Sequence, residues 1–472
     1  MRRGLERLLM VVALVALMGC NSRAPTGAPT PLLTVRGSQK EVATTPRDTP
    51  VPPGATPTLT RTPIPPTATP TPTVTPIPPT RTPIPPTNTP RPPTDTVCAT
   101  DCDFTTIQSA IDDPGTVSGA ILEVRDPVHT EAGIVVGKNI TIRGRGADST
   151  VVQAHRTPEE STERVFLIEK GARVALERMT IRHGKSNEDN CGGGILSEGT
   201  LTLRGCVIRA NMANGGGGVC NRGGEAVLTV INSTIRDNVA GATVANSLAC
   251  GNGGGIRTGS GTLRMINTTV VANSTVTGRG RGGGIHIGCG GTAVFTNTTI
   301  SGNTASPQSD QKVSRKQQGH GGGVNLHGAL RLVNCTITGN QALGPGGGVY
   351  VRGHLDLVNT IVANNAGRGG NCVVSGPDAY GVSGSLGTNS HSLVADGTCD
   401  PAYDDDPLLG PLADNGGDTP THALLPGSPA IDAVPAISCT LPTDQRGEIR
   451  PAVQTSAETP CDLGAFEVQA GH

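Results

Sequence analysis

The triplet Gly-Gly-Gly followed by Ile or Val occurs six times, at Gly192–Ile195, Gly216–Val219, Gly253–Ile256, Gly282–Ile285, Gly321–Val324 and Gly346–Val349. After each comes an apolar alternation and then a second signature: LRGCVIRAN (203–211), VINSTIRDN (230–238), MINTTVVAN (265–273), FTNTTISGN (295–303), LVNCTITGN (332–340) or LVNTIVANN (357–365). Successive copies start 24 to 39 residues apart, the spacing of solenoid repeats. The variable part falls just before the glycines, so inserts are expected in loops on one side of a stack.

The runs between the signatures are short, rich in Thr, Val and Ile, and alternate, as in Leu201-Thr-Leu203, Leu263-Arg-Met265 and Leu330-Arg-Leu332. Period two puts Leu on one face and Thr or Arg on the other, which is the pattern of a strand. No segment from 191 to 370 holds a helical period for three turns. Coils of strands stacked in parallel at about 4.8 Å would pair each backbone donor with a neighbouring coil. With aromatics at 1% and no Trp, the interior must be filled by aliphatic columns.

The glycines then permit a turn with positive φ and a close approach of neighbouring coils. Asn211, Asn238, Asn273, Asn303, Asn340 and Asn365 share one column of the repeat. Their amides are expected to form a hydrogen-bonded ladder along the stack; a row of ligand-binding amides is the alternative. The Asn-x-Thr triplets of the repeat also match glycosylation sequons, and read as its by-products. The first coil needs a lid, and DFTTIQSAIDD (103–113) supplies one. Ile107, Ala110 and Ile111 fall at helical spacing behind Thr105 or Thr106 as N-cap. Early coils are expected at 120–124, 134–136, 140–142, 150–152, 165–168 and 174–181.

Thirteen cysteines point to an oxidising compartment. Cys98–Cys102, Cys372–Cys399 and Cys439–Cys461 are the easy local pairs. Cys191, Cys220, Cys250 and Cys289 lie at the variable loops, with pairing open. Cys206 and Cys335 share a repeat column roughly 19 Å apart at about 4.8 Å per coil, too far to bridge. Both are read as buried small residues. No Cys-x-x-Cys is present to suggest zinc.

The run CDFTTIQSAIDD…GAILEV…KNITIRGRGADSTVV resembles the opening of right-handed parallel β-helix proteins with the pectin-lyase-like fold. The alternation of Gly-Gly-Gly-Ile/Val with Thr-Ile-x-x-Asn resembles the polymorphic outer-membrane protein repeats, with Ile or Val where those have Phe. Residues 404–468, DDDPLLGPLADNGGDTPTHALLPGSPAIDA…CDLGAFEV, resemble the choice-of-anchor Q domain of bacterial surface proteins. The resemblances cover roughly 98–468. They imply an all-β right-handed parallel β-helix solenoid with a short N-terminal capping helix and a C-terminal cap module.

MRRGLERLLMVVALVALMGC has a basic start, an apolar run and a Leu-Met-Gly-Cys end, resembling a bacterial lipoprotein signal with lipidation at Cys20. Between Thr56 and Thr94, 29 of 39 residues are Pro or Thr, and TPIPPT occurs three times. Such chain is extended polyproline II, a stalk on the order of 200 Å if fully extended. The expected organisation is a signal (1–20), a stalk (21–96), a β-helix (97–371) and the module (372–472). No sorting motif or hydrophobic tail follows the module, so the lipid is the expected anchor. The localisation is then export, with the head at the cell surface.

Little chemistry is visible. From Cys191 to Gly370 five acidic residues stand against 14 Lys and Arg, a net of +9, whereas 373–472 carries 14 acidic residues against Arg446 and Arg450, a net of −12. Glycoside hydrolysis needs two facing carboxylates, and the coil carboxylates are scattered. Gly319-His320-Gly321 mimics the Gly-His-Gly element of polygalacturonases, which makes His320 the weak catalytic candidate; that family's Asp-bearing elements are missing. Asp404, Asp405 and Asp406 are a weak candidate set for a cation such as Ca²⁺, and no other cofactor is indicated. The function expected is adhesion to, or binding of, polysaccharide or another envelope polymer without catalysis. The alternative is a polysaccharide lyase or glycoside hydrolase. A formal net charge of −1 disfavours nucleic acid. The acidic module is expected to dock on the basic coils and cover their end, with Cys372–Cys399 pinning the junction.

Overall fold

The computed structural model describes residues 94–186, 191–241, 252–276, 280–305, 318–377, 381–450 and 459–469. Cys20, the signal sequence and all but the end of the Pro/Thr-rich segment lie outside the described residues. The chain winds into a right-handed parallel β-helix. One turn shows the plan. Gly253–Gly255 lead into a strand Ile256–Thr258, then comes a long strand Thr262–Val271, and then a short strand Ser274–Thr275. The long strand bends at Asn267, whose φ is +49°. The three pieces belong to sheets of nine, 19 and six strands. Each pairs in parallel register with the next turn, as in Ile256↔Ile285, Leu263↔Ala293, Val270↔Ile300 and Ser274↔Thr304.

The glycine triplet does three different things. Gly253 turns the chain at φ +69°. A Cβ on Gly254 would run into the carbonyl of Gly283 in the next turn, and one on Gly255 would come within 3.0 Å of the Asn273 amide carbon. Period-two patterning fills the interior with columns such as Leu203, Val230, Met265, Phe295, Leu332 and Leu357, all buried. Cys206 and Cys335 lie in the column of Ser233, Thr268, Thr298 and Thr360. Like those hydroxyls, each thiol donates to the carbonyl two residues earlier. Burial pushes the two thiols up to about 11 and about 12, so both stay protonated and inert.

The asparagine column is continuous. Each Nδ2 donates to the Oδ1 of the next: Asn211 to Asn238 (3.0 Å), Asn238 to Asn273 (2.9 Å), Asn273 to Asn303 (3.0 Å), Asn303 to Asn340 (2.9 Å) and Asn340 to Asn365 (2.9 Å). The rungs are 27, 35, 30, 37 and 25 residues apart in sequence, yet the register never slips. Most of the extra length is spent in the loops before the glycines. A second amide column, at the bend, runs the other way, from Asn297 to Asn267 to Asn232 (3.3 Å each).

At the N-terminus a helix, Ile107–Asp112, buries Ile107, Ala110 and Ile111, and the Thr106 side chain accepts from the Ser109 amide. The Glu131 carboxylate takes the Ile107 and Gln108 amides at 2.7 and 2.8 Å, satisfying helix-end donors that have no internal partner. Two boundaries move. A strand Thr94–Val97 pairs with Ile121–Val124, so the solenoid begins three residues inside the segment read as stalk. At the other end the boundary at 371/372 cuts a turn: Cys372–Val374, Ser385–Ser390 and Leu393–Val394 still pair with the preceding coil.

Beyond Val394 the chain folds back along one wall of the solenoid as well as closing its end. Thr419 Oγ1 donates to the Asn267 carbonyl and Thr269 Oγ1 to that of Pro420. Further along, the Ala465 amide donates to Thr336 Oγ1, the Gly464 amide to the Asn359 carbonyl, and Asn359 Nδ2 to that of Ser438. Hydroxyls, amides and carbonyls carry most of this contact, and its carboxylate, Asp418, accepts from the neutral Asn232 Nδ2; the pairing of acidic module with basic coil that the charge counts suggest is not made among the described residues. Gln445 is the centre of it, accepting from Thr299 Oγ1 (2.7 Å) and donating to Thr269 and Thr419 (2.8 Å each).

Candidate functional site: a histidine and arginine face

In each Gly-Gly-Gly-Ile-x triplet, the residue after Ile or Val points away from the core. On successive turns of the nine-stranded sheet this column reads Cys220, Arg257, His286, Asn325, Tyr350 and Val373. The residue ahead of the glycines forms a neighbouring column, in which Asn252 bridges Arg281 and Arg281 bridges His320. Arg368 pairs with Pro345 on the turns above. His320 is thus brought onto one face with His286, His327, Tyr350 and several arginines. Its ring lies 4.7 Å from that of Tyr350, and the His286 and His327 rings are 5.4 Å apart. His286 Nδ1 is 3.0 Å from Asn325 Oδ1.

The electrostatics are one-sided. Burial, then the charges of Arg281 and Arg368, hold His320 down at about 4. Burial, then Arg281, Arg352 and His320, hold His327 at about 3. His286, fully enclosed, is also held well below its ordinary value, with His327, Arg257 and Arg281 adding to the burial. The charges that act on these three rings among the described residues are arginines and other histidines. At neutral pH the imidazoles are uncharged and the positive charge belongs to the arginines. Such a face can attract carboxylate or sulfate groups, offer neutral ring nitrogens for hydrogen bonding, and present Tyr350 to a sugar. It lacks, among the described residues, the carboxylate pair that hydrolysis uses.

His320 was accessible to motif reasoning. Arg257, His286, Asn325 and Tyr350 were not singled out, although the fixed position after Gly-Gly-Gly-Ile/Val marks them. The other candidates separate. Asp404, Asp405 and Asp406 are exposed, and among the described residues no group of three or more His, Cys, Asp or Glu is placed to hold an ion. Disulfides join Cys98–Cys102, Cys372–Cys399 and Cys439–Cys461. A further bridge, Cys191–Cys220, pins two neighbouring turns beside this face, with Cα atoms 5.6 Å apart. Cys289 is also disulfide-bonded, and Cys250 lies outside the described residues.

Among solved structures the chain is similar to the pectate lyase Pel9A, with 12% identity and a TM-score of 0.50 over 80% of this chain and 98% of that one. It also matches the Dettilon tailspike protein, at 14% identity and a TM-score of 0.28 over 60% of this chain and 57% of that one. The first likeness shows the fold. No protein-family model matches the chain, and no curated protein matches it in sequence.

Proposed function

We propose that this protein is an exported lipoprotein, anchored by lipid at Cys20, whose Pro/Thr-rich stalk displays a β-helix that binds an acidic polysaccharide or similar envelope polymer without cleaving it. The single observation that carries the binding reading is the face on which Arg281 and Arg368 stand around His320, with the Tyr350 ring against it. Guanidinium groups placed together in this way gain from a polyanion laid across them. The fold's appearance in a pectate lyase supports a polysaccharide as the partner, and the basic start, apolar run and Cys20 support the anchor. The experiment is binding of residues 94–472 to polygalacturonate with neutral dextran as control. Arg281→Ser/Arg368→Ser should weaken binding at least tenfold; unchanged affinity would remove this face from the reading.

One observation favours a second reading. A neutral imidazole, His320, lies against a phenol, Tyr350, beside two arginines, and such a group can accept a proton from a uronate ring. Release of unsaturated oligouronides by the wild type, abolished by His320→Ala, would replace binding by lyase activity.

A further inference from the structure

A second basic feature lies on a different wall. In the strands Thr180–Arg182, Val207–Arg209 and Thr234–Arg236, the last residues stand in parallel register, so that Arg182, Arg209 and Arg236 form a three-rung ladder. Adjacent strands put neighbouring rungs about 4.8 Å apart. Carboxylates neutralise it only in part: Arg236 pairs with Asp237, but Arg182 donates to the neutral Gln153 Oε1, and Arg209 between them has no ion pair among the described residues. Burial, and then the charge of Arg209, lower Arg182 below its ordinary value. Arg182 and Arg209 are half-buried and Arg236 is exposed. Farther along the same wall the column continues as Val271, Ser301, Thr338 and Ala363, where the returning C-terminal segment begins to cover it. The cations are therefore confined to the stretch that this segment leaves open. It ends beside them, with Asp418 on Asn232.

We infer that Arg182, Arg209 and Arg236 form an anion-binding site for a linear acidic glycan lying along the solenoid axis, separate from the histidine and arginine face. Three guanidinium groups repeated at the coil spacing suit a polymer whose carboxylates or sulfates recur at about the length of a sugar ring. Single-stranded nucleic acid is the less favoured polyanion, because its binding sites stack bases on aromatic side chains, and the three strands contain none. With two such faces, one head would grip two chains, or one chain at two places, and avidity would follow.

The site is tested on residues 94–472 with polygalacturonate and dextran sulfate as probes, neutral dextran as control, and an oligonucleotide as the competing polyanion. The triple variant Arg182→Ser/Arg209→Ser/Arg236→Ser should lose at least tenfold in affinity for one of the charged glycans. By counterion release, its slope of log affinity against log salt should drop by about 2. The triple Lys variant, which keeps charge and fold, should recover most of the loss. If the Ser variant binds both glycans as the wild type does while Arg281→Ser/Arg368→Ser fails, the ladder is not a glycan site and the proposal falls. Loss from the ladder variant alone would support this site and remove the other face. Selective loss of oligonucleotide binding, or of self-association in sedimentation, would overturn the glycan assignment.

Discussion

The regular coils and the segment that returns along their wall are held by opposite strategies. In the coils each contact is repeated: an Asn rung, an aliphatic column and a parallel strand pair recur turn after turn. In the segment from Ala395 to Gln469 each contact occurs once. Its centre is Arg450, fully buried, donating to Glu467 at 2.5 Å and to the carbonyls of Asp462 and Gly464, with Arg446 paired to buried Asp444 nearby. Repetition lets a lesion spread its cost over neighbours, since stability in a solenoid is a sum over units and interfaces. A unique ion pair has no such reserve. Burial raises Glu467 even beside the arginine, and it lowers Arg450 too, so each group can stay charged only against the other.

The sharpest way to break the contrast is therefore Arg450→Met. It leaves Glu467, Asp462 and Asp444 buried without their central cation and should cost about 3–5 kcal/mol. The loss should appear as an early transition in denaturant and as protease cleavage between 395 and 450, with the coils surviving. A single later transition, shared by the whole chain, would show that segment and solenoid are one cooperative unit.

A ladder rung is next. Asn273→Ala strands the Asn238 backbone amide, which donates to Asn273 Oδ1 at 3.1 Å inside the core, and takes one acceptor from Asn238 Nδ2, which keeps the Ile208 and Arg236 carbonyls. About 2–4 kcal/mol should be lost in equilibrium unfolding. Asn365→Ala, at a half-buried rung, should cost about half as much. Equal costs at both positions would mean that burial does not set the value of a rung. Gln445→Ala removes three hydrogen bonds to Thr269, Thr299 and Thr419 and should cost about 1–3 kcal/mol. Its effect should be confined to the transition that Arg450→Met shifts.

The same contrast decides what could be read in the sequence. The coils were legible because each carries the same instruction: period two for the interior, glycine where Cβ has no room, Asn where a carbonyl needs an amide. The capping helix was legible from Ile107, Ala110 and Ile111 behind Thr106. The side-wall docking was not, because Gln445 meets Thr299 across 146 residues and no periodicity announces a contact made once. Net charge pointed toward the coils but not to the wall, since most of the residues that join them are neutral and Asp418 meets the neutral Asn232 there. For the candidate site, the Gly319-His320-Gly321 motif marks His320 alone. The repeat itself would have yielded the rest, because position after Gly-Gly-Gly-Ile/Val fixes which side chains share that face.

The smallest effect concerns the histidine face and is visible only in acid. His320 and His327 are depressed from 6.5 to about 4 and about 3, chiefly by burial and then by their arginine neighbours. Above about pH 6.5 both are neutral whether folded or unfolded, and they contribute nothing to the pH dependence. Below it the unfolded chain takes up protons that the folded chain refuses, so stability falls as pH drops from 6.5 toward 4 and then 3. His320→Asn/His327→Asn removes this penalty. The variant should gain on the wild type as pH falls, by on the order of 2 kcal/mol at pH 4 after allowing for partial exposure. Glu467 shifts in the opposite sense, but it is common to both chains and cancels in the difference. A bound polyuronate should shrink the gap, because its carboxylates add negative charge beside the arginines and draw the imidazole pKa values upward. If the variant and wild type keep a constant difference from pH 7 to pH 4, the histidines are not held neutral by the fold. The arginines would then be too well screened by solvent to act as the anion-binding charge of this face.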